Sequence, residues 1–135
     1  MPASTPAREP EDRPPIAVCG EDYDRLALLV AGGPHAAPGH ALLAAELERA
    51  ALVEGAPAAD RVRLGSRATY RDLDRDRVRT VVLALPHAAH DEGGVSVTAP
   101  IGAALLGLSP GQRFSWTQAD GRARTIEILA VRNDA

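Results

Sequence analysis

Residues 98–107 read TAPIGAALLG, a proline and two glycines set around a small apolar run. Proline favours the first turn of a helix and glycine the position just past its end. Pro100 and Gly107 hold those places, so the segment predicts one brief helix with Ile101, Leu105 and Leu106 turned toward a sheet. No side chain in it can carry acid or base chemistry. It is therefore expected either to pack or to recognise a partner.

The flanking sequence changes period from helix to strand. RVRLGSRATYRDL (61–73) and RVRTVVLAL (77–85) flank the polar tetrad Asp74 to Arg77, which predicts a strand hairpin. Val78, Thr80, Val82 and Ala84 would face one way, and Arg79, Val81, Leu83 and Leu85 the other. GVSVTA (94–99) reads as a third strand. RFSWT (113–117) and RTIEILAVR (124–132), separated by the turn pair Asp120-Gly121, read as a closing hairpin in which Ile126 and Ile128 alternate with Glu127 and Leu129. Five short strands and one helix predict an α+β domain on an antiparallel sheet over residues 61–135.

Upstream, residues 1–15 (MPASTPAREPEDRPP) are proline-rich and charged with little to bury, which predicts a disordered tail. After IAVCG, the spacing of Leu26, Leu29 and Val30, with Asp22 and Asp24 at the start, predicts a helix from Tyr23 to Ala31. GGPHAAPGH (32–40) breaks it. A second helix is expected from Ala41 to Val53, with Leu43, Leu47 and Ala50 on one face and Glu46, Glu48 and Arg49 largely elsewhere. Residues 16–54 would then form a short antiparallel helical hairpin, and 55–60 a linker.

With 135 residues the chain can bury a core without disulfides, and its one cysteine, Cys19, has no partner within the chain. No secretory leader pattern is present, and apolar runs such as Val81 to Leu85 or Ile101 to Leu106 fall far short of the roughly 20 residues that cross a bilayer. A soluble, cytoplasmic monomer is expected. All 15 basic residues are arginine. From Met1 to Asp60 four arginines meet ten acids, a balance of -6, whereas Arg61 to Ala135 holds eleven arginines and eight acids, a balance of +3. Such a split suits a two-part molecule meeting a charged partner.

The inventory for catalysis is thin. His87, His90, Asp91 and Glu92 lie close together in HAAHDE, but their spacing matches no standard zinc pattern and they follow Pro86 in a connection between strands. No metal is expected there. His35 and His40 fall in the hairpin breaker, where they are expected to be solvated. Ser66, Ser96, Ser109 and Ser115 lack a nucleophile-elbow context, and Cys19 has no histidine partner in sequence. No phosphate-binding glycine loop is present, so no nucleotide cofactor is expected. The arginines at 61, 63, 67, 71, 75, 77 and 79 are interleaved with Asp60, Asp72, Asp74 and Asp76, which reads as an alternating-sign strand face rather than a nucleic-acid surface.

Three stretches carry a resemblance: VSVTAPIGAALLGLSPGQ (95–112), RLGSRATYRDLDRDRVRTVVLALP (63–86) and RFSWTQADGRARTIEILAVR (113–132). Together they resemble the carboxy-terminal domain of the bacterial Gre transcription factors, GreA and GreB, which implies an FKBP-like fold. More narrowly, GAALLGL (102–108) and LAAELERA (43–50) resemble the branch of that superfamily known as regulators of nucleoside diphosphate kinase (Rnk). The resemblance implies an RNA polymerase-binding transcription elongation regulator that docks at the entrance of the secondary channel. Thr98, Ala99, Pro100 and Ile101 would be the polymerase-binding residues, meeting the helical rim, and any contact with DNA or RNA would occur within the polymerase complex.

Gre factors present acids at the tip of a long coiled coil to hold a catalytic magnesium, hard oxygen ligands being what that ion requires. The breaker GGPHAAPGH contains no carboxylate, and Asp22, Asp24, Glu46 and Glu48 lie at the base or within the helices, so none is carried over as a cleavage residue. The family also often places aspartate or serine where this chain has Thr98 and Ala99. With Ala99 a poor N-cap, either Thr98 caps the helix or the helix begins less firmly. No catalytic residue, cofactor or metal follows from the resemblance. Two further functions are weighed: a peptidyl-prolyl isomerase whose pocket would draw on Tyr70, Phe114 and Trp116, and a direct regulator of nucleoside diphosphate kinase.

Overall fold

A computed structural model describes residues 16–32, 37–53, 61–89, 93–118 and 120–133. Its elements run β1 (Ala17–Cys19), α1 (Gly20–Gly32), α2 (His40–Arg49), β2 (Ala51–Val53), β3 (Arg67–Asp72), β4 (Arg77–Ala84), a 3-10 turn (Pro86–Ala88), β5 (Gly94–Ser96), α3 (Pro100–Leu105), β6 (Arg113–Thr117) and β7 (Ala123–Arg132). The architecture is mixed α+β. The tail at 1–15, the linker at 55–60, His35 and the HDE of HAAHDE (90–92) lie outside the described residues.

The main sheet has five strands in the order β5-β4-β3-β7-β6. Period-two alternation builds its inner face: Ala68, Tyr70, Val81, Leu83, Phe114, Trp116, Ile126 and Ile128 are all buried. The expected facing of β4 holds, since Val81 and Leu83 are the buried pair of that strand. One expectation is corrected. β5 runs parallel to β4, pairing Val82 with Gly94 and Ala84 with Ser96, so the sheet is not wholly antiparallel. The connection through Pro86–Ala88 carries the chain back to the starting end of the pairing, which a tight hairpin could not do.

The upstream half departs further from the sequence expectation. The second helix ends at Arg49, and residues 51–53 form β2, parallel to β1, instead of its last turn. Ala50 is extended, with ψ 141°, and Ala51 donates its N–H to the carbonyl of Ile16 at 2.9 Å. A partner strand thus satisfies the backbone that a longer helix would have used. The first helix begins at Gly20, three residues earlier than expected. Since β1 and β2 join the start of α1 to the end of α2, the two helices form a hairpin, and His40 Nε2 lies 3.0 Å from the Val30 carbonyl near its turn. His40 is accordingly a structural contact and not a solvated tip residue.

Ile16, Val18, Leu26, Leu43 and Leu47 belong to the same hydrophobic cluster as the sheet's inner face and α3. The hairpin thus shares one core with the sheet. Two acids expected at the surface are drawn into this packing. Asp22 accepts the N–H of Leu64 at 3.3 Å, and Glu46, only 1% exposed, chelates the guanidinium of Arg49. α3 closes as expected from its sequence: Gly107 follows with φ +80°, a left-handed conformation that costs glycine little.

Candidate functional site

Residues 98–101 lead from β5 into α3. Thr98 is 5% exposed, and its Oγ1 lies 2.7 Å from Ser96 Oγ, which also accepts the Thr98 N–H at 3.0 Å. This hydroxyl pair shapes the turn out of β5. It also occupies Thr98, so Thr98 does not cap α3: Ala99 is the N-cap, extended at φ -84° and ψ 151°, and no side chain caps the first turn. The helix starts on its Pro100 at the first position and on the Ala103 N–H bonded to the Ala99 carbonyl at 2.9 Å.

The turn is held from the other side by the hairpin. Gly39 donates its N–H to the Thr98 carbonyl at 2.7 Å, and a Cβ at Gly39 would stand 2.4 Å from the Ala99 carbonyl carbon. Only glycine permits so close an approach of two backbones. The start of α2 is therefore seated on the peptide that opens α3. Buried Ala103, Ala104, Leu105 and Leu106 fix the helix against the sheet, as expected for the two leucines, while Ala99, Pro100 and Ile101 stay partly exposed. Ile101 also packs on the core, so its apolar surface is divided between the interior and solvent.

Beside this turn an open groove of about 760 Å³ runs between α2 and β6. Pro38, Leu42 and Pro100 form its apolar side, Trp116 its aromatic wall, and Gln118 and Asp120 a polar end. Sequence reasoning named Pro100 but missed Pro38, Leu42 and the outer face of α2, because their proximity depends on the Gly39–Thr98 contact between segments some 60 residues apart. Of the three aromatics weighed for a proline pocket, Trp116 lines the groove, while Tyr70 and Phe114 lie in the core. Behind Trp116 stands the Arg124 guanidinium, 5.4 Å from the ring centroid and paired with Asp72 at 2.5 Å.

The acids weighed for magnesium binding do not converge. Asp22 and Glu46 are buried in the contacts described above, and Asp24 and Glu48 are exposed on different helices. No group of three or more His, Cys, Asp or Glu side chains suited to a metal occurs among the described residues. Cys19 is buried. No described helix is long and apolar enough to cross a membrane.

Residues 56–133 match the family described as "Transcription elongation factor, GreA/GreB, C-term". The chain is 36% identical over 123 residues to the "Regulator of nucleoside diphosphate kinase" of Escherichia coli (strain K12), spanning 88% of this chain and 90% of that protein. It is also 36% identical over 74 residues to the "Transcription elongation factor GreA" of Acidiphilium cryptum (strain JF-5), covering 54% of this chain and 46% of that one. In structure it is similar to the "Prokaryotic transcription elongation factor GreA/GreB from Nitrosomonas europaea", with a TM-score of 0.66, 29% identity, and coverage of 90% of this chain and 100% of that one.

Proposed function

The chain belongs to the GreA/GreB family of transcription factors, and from that premise we propose that it is a cytoplasmic regulator that docks on RNA polymerase at the entrance of the secondary channel without cleaving the transcript. Ala99, Pro100 and Ile101 form the centre of the docking surface, and Thr98, buried beneath them, sets the turn that presents them. The observation that carries this is the turn into α3: its backbone is fixed by Ser96 and Gly39, while Pro100 remains at the lip of an apolar groove. A preorganised apolar edge of this kind loses little conformational freedom on binding. By the same reading the sheet domain is of the FKBP-like kind and the protein acts as a monomer.

The absence of cleavage follows from reach and chemistry. α1 and α2 have 13 and 10 residues, which at 1.5 Å per residue extend only about 20 and 15 Å. The sequence between them, GPHAAPG (33–39), supplies no carboxylate, and the buried Asp22 and Glu46 are committed to holding the fold. The protein is thus a channel-entrance ligand, not an enzyme or a cleavage cofactor.

Retention of purified polymerase on the immobilised protein tests the proposal, with polymerase lacking the rim helices as the comparator. Retention of intact polymerase at micromolar concentration, lost with the rim deletion, is the expected result. Failure to retain the intact enzyme overturns it. Stalled elongation complexes with magnesium should show no shortening of the nascent RNA on addition of the protein. The identity with a protein named as a regulator of nucleoside diphosphate kinase supports a second reading, direct contact with that kinase, which the same retention assay with purified kinase would reveal.

A further inference from the structure

The arginine run that the sequence interleaves with aspartates is sorted by the fold. In β3, Arg67 and Arg71 lie on the outer face of the sheet, whereas Asp72 faces inward and is buried against Arg124. Asp74 sits in the turn, where its Oδ2 accepts the Thr125 N–H. The alternation of sign in the sequence therefore does not survive as alternation on one surface.

Registry across the sheet gathers more arginines on that outer face. Arg67 stands directly opposite Arg132 of β7, and both are exposed. Neither has an ion-pair partner among the described residues. Like charges directly opposite are destabilising in a sheet. A second row runs Arg71, Glu127, Arg113 across β3, β7 and β6, with the one carboxylate 3.8 Å from Arg113, while Arg71 reaches Asp76 in the turn at 3.5 Å. Between the rows lies the exposed hydroxyl pair Thr69–Thr80, Oγ1 to Oγ1 2.9 Å. Val78 and Leu129 are exposed, and none of the aromatic residues of the sheet, Tyr70, Phe114 and Trp116, belongs to this face.

We propose that this outer face of the sheet, centred on Arg67 and Arg132 and extended by Arg71 and Arg113, is a docking surface for the phosphate backbone of duplex DNA. Four guanidiniums against two carboxylates, Glu127 on β7 and Asp76 in the turn, leave it positive, in a protein whose net charge is -3. Guanidinium forks and hydroxyls are suited to phosphate oxygens. Without aromatic platforms the face cannot stack unpaired bases, which disfavours a single strand. Protein interfaces concentrate aromatic side chains and deplete charge at their centres, and this face does the reverse. It is also the side of the sheet away from α3, so occupation of residues 98–101 by another partner leaves it open. The inference goes beyond the proposed polymerase docking and does not depend on it.

Fluorescence anisotropy of a labelled DNA duplex of about 20 base pairs, titrated with the full chain over a range of salt concentrations, tests it. Binding at roughly 1 to 100 μM near physiological salt is expected. Replacing both arginines (Arg67→Gln with Arg132→Gln) should flatten the slope of log affinity against log salt by about 1.8, and it should not lower the melting temperature, since it removes a repulsion. Arg25→Gln, on α1, should leave the slope unchanged. No binding at low salt, an unchanged slope in the double variant, tighter binding to the single strand, or equal displacement by polyglutamate would each overturn the assignment, the last pointing to an acidic protein instead.

Discussion

Gly39 and Thr98 are joined backbone to backbone, N–H to carbonyl at 2.7 Å, and this bond couples the helical hairpin to the turn that opens α3. The hairpin is thereby part of the scaffold of the proposed docking surface. The start of α2 buttresses the turn that presents Pro100.

Gly39→Ala should break that coupling. The added Cβ would fall 2.4 Å from the Ala99 carbonyl carbon, a backbone atom that cannot swing aside. Overpacking of this kind costs about 1 to 3 kcal/mol. Thermal melting should show that loss, and polymerase retention should fall with it, because the Pro100 edge moves. Unchanged melting would mean that the turn accommodates the methyl group.

Pro100→Asp and Leu105→Ala should separate recognition from packing. Pro100 opens α3 and is partly exposed, and an aspartate there suits the helix dipole, so melting should stay within about 0.5 kcal/mol of the parent. Polymerase retention should weaken about tenfold or more, since a charge would enter a contact that excludes water. Leu105 is fully buried, and its truncation should cost about 2 to 5 kcal/mol of stability. Ile101→Glu is a poorer probe than Pro100→Asp because Ile101 packs on the core and would perturb both properties. Normal binding by Pro100→Asp would return the segment to packing alone.

Tyr70 should make the fold sensitive to alkali. Burial raises its phenol above the ordinary 10.0, and the neighbouring Asp72 carboxylate adds to the effect against opposition from Arg79 and Arg124. The folded state thus holds the proton more tightly than the unfolded chain. The associated stability is complete below about pH 10 and declines as pH rises through the raised folded value. Tyr70→Phe should flatten that decline in denaturant titrations between pH 9 and 12. Equal pH dependence of Tyr70→Phe and parent would place the alkaline transition elsewhere.

Much of the sheet was legible in the sequence because strand signals are local: alternating Val81 and Leu83, Ile126 and Ile128, and the Asp120-Gly121 turn fix strand faces without reference to distant residues. So was α3, bracketed by Pro100 and Gly107. The family itself was legible for the same reason, since residues 95–112 carry its pattern as a continuous string. The three-residue strands β1 and β2 were not, because segments so short have no measurable period and become strands only by pairing with each other. Their formation is also what ends α2 at Arg49. The fates of Asp22 and Glu46 were hidden likewise: an acid near a helix start or on a helix flank reads as solvated until Leu64 or Arg49 takes its lone pairs inside the fold.

The sequence by itself therefore determined the faces of the longer strands, the brief helix and the family, because each of these is written as a pattern over near neighbours in the chain. Only the tertiary structure decided what shares a surface. Pro38 and Leu42 meet Pro100 and Trp116 because the hairpin packs into the core of the sheet, with the Gly39 to Thr98 hydrogen bond setting the close approach of the two turns. Arg67 meets Arg132, and loses the company of Asp72, because strand pairing sets register across the chain while pleating sends neighbouring residues to opposite faces.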